Sequence, residues 1–132
     1  MTDRPVKTVL IVEDEQILRD AYRKILSQEG FAVLDAANGI EALECLRHAT
    51  PDLILLDMLM PHMDGLTFLE QADLARQHPE TKVIAFSNLS NQQGLHAMMR
   101  KGATMQLLKS SLSPRQLAAI VRDMTSDVSV GG

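Results

Sequence analysis

The sequence predicts an α/β fold, a parallel sheet of five strands with helices on both faces. Three observations carry this. From residue 7 onward, short aliphatic runs alternate with segments of helical periodicity, the pattern of repeated strand–helix units. The runs Leu53–Leu56 and Val83–Phe86 are apolar throughout, as strands covered on both faces are. Four runs also end abruptly in polar groups: Thr8–Val12 in Glu13 and Asp14, Leu53–Leu56 in Asp57, Val83–Phe86 in Ser87, and Met105–Leu108 in Lys109. In a parallel sheet those ends lie on one edge, where open α/β sheets build their ligand sites.

The elements follow in order. After the first strand, Ile17, Leu18, Ala21, Tyr22, Ile25 and Leu26 recur at helical spacing, and Gly30 suits a left-handed stop. Phe31 to Ala36 reads as a second strand, and Asn38 as the cap of a second helix carrying Ile40, Leu43 and Leu46. Pro51 interrupts before the third strand, which ends at Asp57. A third helix begins near Asp64, its cap, and turns Leu66, Leu69 and Ala72 to the core with Phe68 and Ala75 beside them. His78-Pro79 marks the turn to the fourth strand, Lys82 to Ser87. The fourth helix, roughly Asn91 to Lys101, has only Leu95, Met98 and Met99 as its apolar stripe. Gly94 in its first half weakens it by up to about 1 kcal/mol relative to Ala, so mobility is expected there. The fifth helix carries Ser113 as cap, Pro114 at its first position and Gln116 to complete a capping box, with Leu117, Ile120, Val121 and Met124 as its stripe. The tail from Thr125 to Gly132 is expected to fray.

Composition bounds the function. The 132 residues fit one domain, and 45% hydrophobic with 23% charged residues is enough for one core. A net charge of −4 argues against a nucleic-acid surface, and the scarcity of aromatics against base stacking. No apolar stretch approaches a membrane span, and the polar start is not a secretory signal. The single Cys45 excludes an internal disulfide and reads as a small buried hydrophobe in a reducing cytoplasm.

Asp57 is the first residue to suspect of chemistry, because it ends a buried strand and Pro61 and Gly65 shape the loop after it. Glu13, Asp14 and Asp57, brought together, repel one another and raise one another's pKa. A divalent cation and Lys109 remove that penalty, and oxygen-only ligands in an open site favour Mg²⁺. The histidines His48, His62, His78 and His96 lack metal-ligand spacing, and the methionines read as packing, although Met58, Met60 and Met63 lie beside the site.

With Asp57 through Gly65, the acid pair, Ser87 and Lys109 in this order, the chain resembles the receiver domain of two-component response regulators, chemotaxis regulators included, over roughly residues 7 to 124. The resemblance implies a flavodoxin-like, doubly wound sheet of strand order 2-1-3-4-5 with five helices, one receiver domain over residues 1–132. It implies direct Mg²⁺ ligation by Asp14, Asp57 and the Leu59 main-chain carbonyl, with Glu13 acting through water. It further implies that Asp57 accepts a phosphoryl group from a histidine kinase or phosphotransfer protein, with Lys109 and Ser87 on the phosphoryl oxygens. The signal then leaves by the face of helix 4, strand 5 and helix 5. It implies, too, that the domain catalyses only its own Mg²⁺-dependent phosphorylation and dephosphorylation. The 132 residues hold no DNA-binding or enzymatic domain beside the receiver, so output to an unknown downstream protein by direct contact is expected, without nucleic acid or membrane, and a receiver excised from a longer protein stays an open alternative.

Three positions depart from the family pattern. Ser110 follows Lys109 where the family usually has proline in a cis bond; a non-proline cis bond costs about 2.5–4 kcal/mol, so a trans bond and a redirected lysine are expected. Gln106 stands where the family usually has an aromatic reporter, and Asn88 follows Ser87 where a small residue is common. These departures motivate an alternative, a pseudo-receiver that binds a protein partner without phosphorylation. A phosphatase of the haloacid-dehalogenase type ranks last, because its second Asp is Leu59 here.

Overall fold

The computed structural model describes residues 6–87 and 92–126. Five strands, β1 (Thr8–Val12), β2 (Ala32–Ala36), β3 (Leu53–Asp57), β4 (Lys82–Ser87) and β5 (Met105–Leu108), form one sheet of order β2-β1-β3-β4-β5. All four pairings are parallel. The principal helices are α1 (Gln16–Gln28), α2 (Gly39–His48), α3 (Gly65–Ala72), α4 (Gln92–Arg100) and α5 (Pro114–Thr125). A single helical turn, Leu74–Gln77, follows α3, and a 3-10 turn, Lys109–Ser111, follows β5. No described helix is long and apolar enough to cross a membrane.

The alternation of strand side chains divides the core in two. Val9, Ile11, Leu53, Leu55, Ile84 and Phe86 face α1 and α5, packing on Tyr22, Leu26, Leu117 and Val121. Leu10, Val12, Ile54, Leu56, Val83 and Ala85 face α2, α3 and α4, packing on Ala42, Leu46, Phe68, Leu69, Leu95 and Met98. Every residue of β3 is buried, which is why the central strand reads as an unbroken apolar run.

Local signals set the helix ends. Asn38 accepts from the Glu41 N–H at 2.9 Å, Asp64 from the Thr67 N–H at 2.8 Å, and Ser113 and Gln116 form the reciprocal capping box. Gly30 stops α1 with φ of 96°, a conformation costly for any residue with a Cβ. Three expected core positions are not core. Ile17 is 84% exposed because Leu18, Tyr22, Ile25 and Leu26 form the face of α1 that meets the core, and Ile17 lies outside that face. Ile40 is 55% exposed because α2 buries Gly39, Ala42 and Leu46 instead, a face turned away from it. Ala75 is exposed because the left-handed Asp73 (φ 47°) breaks the helix before it. Cys45 is partly buried against the α2–α4 side of the core, where burial pushes its thiol pKa up.

Candidate functional site

The carboxyl edge of the sheet gathers the polar residues that end its strands. Glu13 leaves β1 with its N–H donated to the Ala36 carbonyl (3.0 Å), and its side chain is fully buried. Its Oε2 accepts the Glu15 N–H at 3.0 Å, while the Arg19 guanidinium donates to the Glu13 carbonyl at 2.8 Å. Arg19 thereby ties the acid-pair turn to α1, a role no motif in the sequence announced. Asp14, beside it, is exposed.

Asp57, at the end of β3, is 3% exposed. Its Oδ1 accepts the Leu59 N–H at 3.3 Å and its Oδ2 accepts from Lys109 Nζ at 2.9 Å. The same ammonium lies 2.8 Å from Glu13 Oε1, an ion pair without the alignment of a hydrogen bond. Carboxylate oxygens of Glu13, Asp14 and Asp57 all fall within 4.8 Å of one another. Ser87 is buried at the end of β4, one residue beyond Phe86, the register partner of Asp57. Thus Glu13, Asp14, Asp57 and Lys109 converge, with Ser87 on the neighbouring strand end. Asn88 lies outside the described residues.

The expected redirection of Lys109 does not occur. No peptide bond among the described residues is cis, yet Nζ reaches both carboxylates. Two attractions account for this. The paired carboxylates draw the ammonium inward, and the Phe86 ring lies beneath it, 5.8 Å from Nζ to the ring centre. Phe86 is itself backed by Tyr22, with ring centres 5.7 Å apart.

Electrostatics make the site short of positive charge. Burial is the main cause that pushes the Asp57 carboxyl up to about 7, with Glu13 adding to it and the Lys109 hydrogen bond opposing it. For Lys109, burial works downward, but its contacts with Glu13 and Asp57 prevail and hold it above the ordinary lysine value. Burial, then Glu13, raises the Tyr22 hydroxyl. Three carboxylates face one ammonium, so two formal negative charges stay uncompensated when all are ionised. A divalent, oxygen-seeking cation matches that surplus, and the donor set fits Mg²⁺.

The loop after Asp57 is held by backbone bonds, Met58 N–H to the Phe86 carbonyl (3.2 Å) and Gly65 N–H to the Met58 carbonyl (2.8 Å). A Cβ on Gly65 would lie 2.6 Å from the Asp57 carbonyl oxygen, so only glycine lets α3 start this close to the strand end. Leu59, 53% exposed, borders the site on the solvent side.

Residues 9–122 match the response regulator receiver domain family. The chain is 36% identical over 104 residues to a probable C4-dicarboxylate response regulator DctR of Priestia megaterium, an alignment covering 77% of this chain and 45% of that protein. It therefore spans less than half the length of that relative. Over 113 residues it is 34% identical to the chemotaxis protein CheY of Listeria monocytogenes, covering 85% of this chain and 93% of CheY. Among solved structures, a CheY-like response regulator receiver domain protein of Methanospirillum hungatei JF-1 superposes with a TM-score of 0.82 at 28% identity, covering 92% of this chain and 94% of that one. A parallel sheet of order 2-1-3-4-5, an acidic cluster at its carboxyl edge and this match across nearly the whole chain agree: the protein belongs to the response regulator receiver domains of two-component signalling.

Proposed function

We propose that this receiver accepts a phosphoryl group on Asp57 from a histidine kinase or phosphotransfer protein and signals through the face of α4, β5 and α5 to a downstream protein. The observation that carries it is the buried Asp57 carboxylate, held by Lys109 at 2.9 Å within one acidic cluster. An isolated buried carboxylate at a strand end is costly, and this one is kept among like charges where a cation and a phosphoryl group can reach it.

In the step itself, an Asp57 oxygen forms a bond to phosphorus as the bond to the donor nitrogen breaks, and that nitrogen keeps the electron pair and takes a proton. Positioning and charge neutralisation supply most of the catalysis. Lys109 exchanges its Asp57 contact for a phosphoryl oxygen, and the Ser87 hydroxyl donates to another. Asp14, Asp57 and the Leu59 main-chain carbonyl would hold Mg²⁺ directly, with Glu13 acting through water. When bound, Mg²⁺ neutralises charge on the phosphoryl oxygens. The retained Lys109 geometry speaks for this reading over a phosphorylation-independent binding module.

Intact mass after incubation with acetyl phosphate and Mg²⁺ tests it. One added phosphoryl group is expected on the native chain and none on Asp57→Asn. A native chain left unmodified by both acetyl phosphate and a competent kinase would overturn this reading and favour the pseudo-receiver.

A further inference from the structure

The residue next to Asp57 points the other way. By strand alternation Met58 falls on the side of Ile54 and Leu56, and it is buried against the α2–α4 half of the core. Its thioether fills the space where α4 lacks a side chain. A Cβ on Gly94 would collide with Met58 Sδ and lie 2.8 Å from its Cε. One helical turn on, on the same face of α4, Met98 is fully buried and reaches back. Its Cε lies 2.9 Å from the Cβ position of Gly65, a position that is also 2.6 Å from the Asp57 carbonyl oxygen and 3.1 Å from Met58 Cα. One methionine thus enters the helix from the strand end, and another enters the strand-end turn from the helix.

We propose that Met58 in the Gly94 notch and Met98 against Gly65 form a reciprocal interlock that transmits movement of the Asp57–Met58 backbone directly to α4. This rests on Asp57 being the phosphoacceptor. A phosphoryl group adds close to two negative charges and draws Lys109 off the carboxylate, so the strand end is where the two states differ. A close-packed interior does not absorb such a shift, and α4 cannot slide or rotate without displacing one of the two thioethers. The route needs no aromatic on β5, where Gln106 is exposed. Met63, seated against Gly39 at the start of α2 with Cγ 2.8 Å from that glycine's Cβ position, is a third contact of the same kind. It touches neither Gly94 nor Gly65 among the contacts closest to them and serves as an internal control.

The test uses the full chain labelled at methionine methyl groups and backbone amides, as native protein and as Met58→Ala, Gly94→Ala and Met63→Ala. In the unmodified state, Gly94→Ala should expel the Met58 methyl group and move its resonance while the Met63 signal stays. Each protein is then treated with acetyl phosphate and Mg²⁺, with intact mass read on the same samples. Met58→Ala should gain the phosphoryl group as the native chain does but lose at least half of the amide shift change across residues 92–100. Met63→Ala should keep that change. Mass gain in Met58→Ala with an undiminished α4 response overturns the interlock alone, as does a Met58 methyl signal unmoved by Gly94→Ala. A native chain without mass gain overturns the phosphoacceptor reading, and the signalling role of the interlock with it.

Discussion

Lys109 Nζ lies 2.9 Å from Asp57 Oδ2 across 52 residues of chain, and it does so without the cis bond that usually places this lysine. The lysine also meets Glu13, so one ammonium compensates two carboxylates that are almost fully buried. Removing it leaves both without a counter-ion, a change that costs about 3–5 kcal/mol in buried pairs. Lys109→Met is therefore expected to lower stability strongly at pH 8 and much less at pH 5, where Asp57 can take up a proton. Urea unfolding at the two pH values checks this; equal losses at both would show that the carboxylates are not the origin.

Asp57 gives a second pH signature. Burial holds its carboxyl at about 7, against an ordinary value of 3.8 in the unfolded chain. Between those values the folded state binds a proton that the unfolded state lacks, so metal-free stability falls as pH rises from about 4 to about 7 and then levels off. At about 1.4 kcal/mol per pH unit, this proton is linked to a few kcal/mol of stability. The Lys109 shift acts in the alkaline range and leaves this window untouched. Asp57→Asn should abolish the slope and stabilise the metal-free protein above pH 7. Mg²⁺ should bind with release of about one proton near pH 6, measurable as buffer-dependent heat. A stability curve with the same slope in Asp57→Asn would assign the proton elsewhere.

Two glycines should fail in different ways. Gly65→Ala puts a Cβ 2.6 Å from the Asp57 carbonyl, and neither backbone can yield without moving the strand end. A loss of about 1–3 kcal/mol is expected, together with loss of phosphoryl acceptance. Gly30→Ala meets open space but sits at φ of 96°, so it should cost stability through backbone strain and leave phosphorylation intact. Unfolding midpoints and intact mass on both variants separate the two mechanisms.

The strands, the caps and the acidic cluster were legible in the sequence because each rests on local chemistry. An apolar run closed by a carboxylate, or Ser113-Pro114 with Gln116, means much the same in any context. What was not legible depends on rotation and on partners distant in sequence. A helical stripe places Ile17 and Ile40 within a face but does not say which edge of that face meets the sheet. Gly94 reads locally as a weak point in α4, and only the fold reveals that Met58 fills its missing side chain. Lys109 without proline reads locally as a misplaced lysine; its two carboxylates and the ring of Phe86 hold it in place.

The phosphoryl-aspartate is expected to be long-lived. Hydrolysis needs a water oriented in line with the phosphorus, and Leu59, exposed beside Asp57, offers it no hydrogen bond. Leu59→Asn adds a polar group at that position while keeping the backbone N–H that Asp57 accepts. Phosphate release followed over time should be several-fold faster in the variant. Equal, rapid loss in both proteins would place control of the lifetime elsewhere.

Gln106 is exposed on β5, opposite Ala85, and lines a groove with Leu95, His96, Leu107 and Leu108. Swinging its amide into that groove without partners would cost about 1–3 kcal/mol, so it cannot alternate between burial and solvent as an aromatic would. Helix α4, keyed to the strand end at Gly94 and through Met98, has the shorter path to Asp57. Amide shifts with and without beryllofluoride and Mg²⁺ should therefore change most at Ser87 and across residues 92–100, with little change at Gln106. Large changes centred on β5, with α4 silent, would leave the phosphorylation site standing and reroute the signal through the opposite edge of the groove.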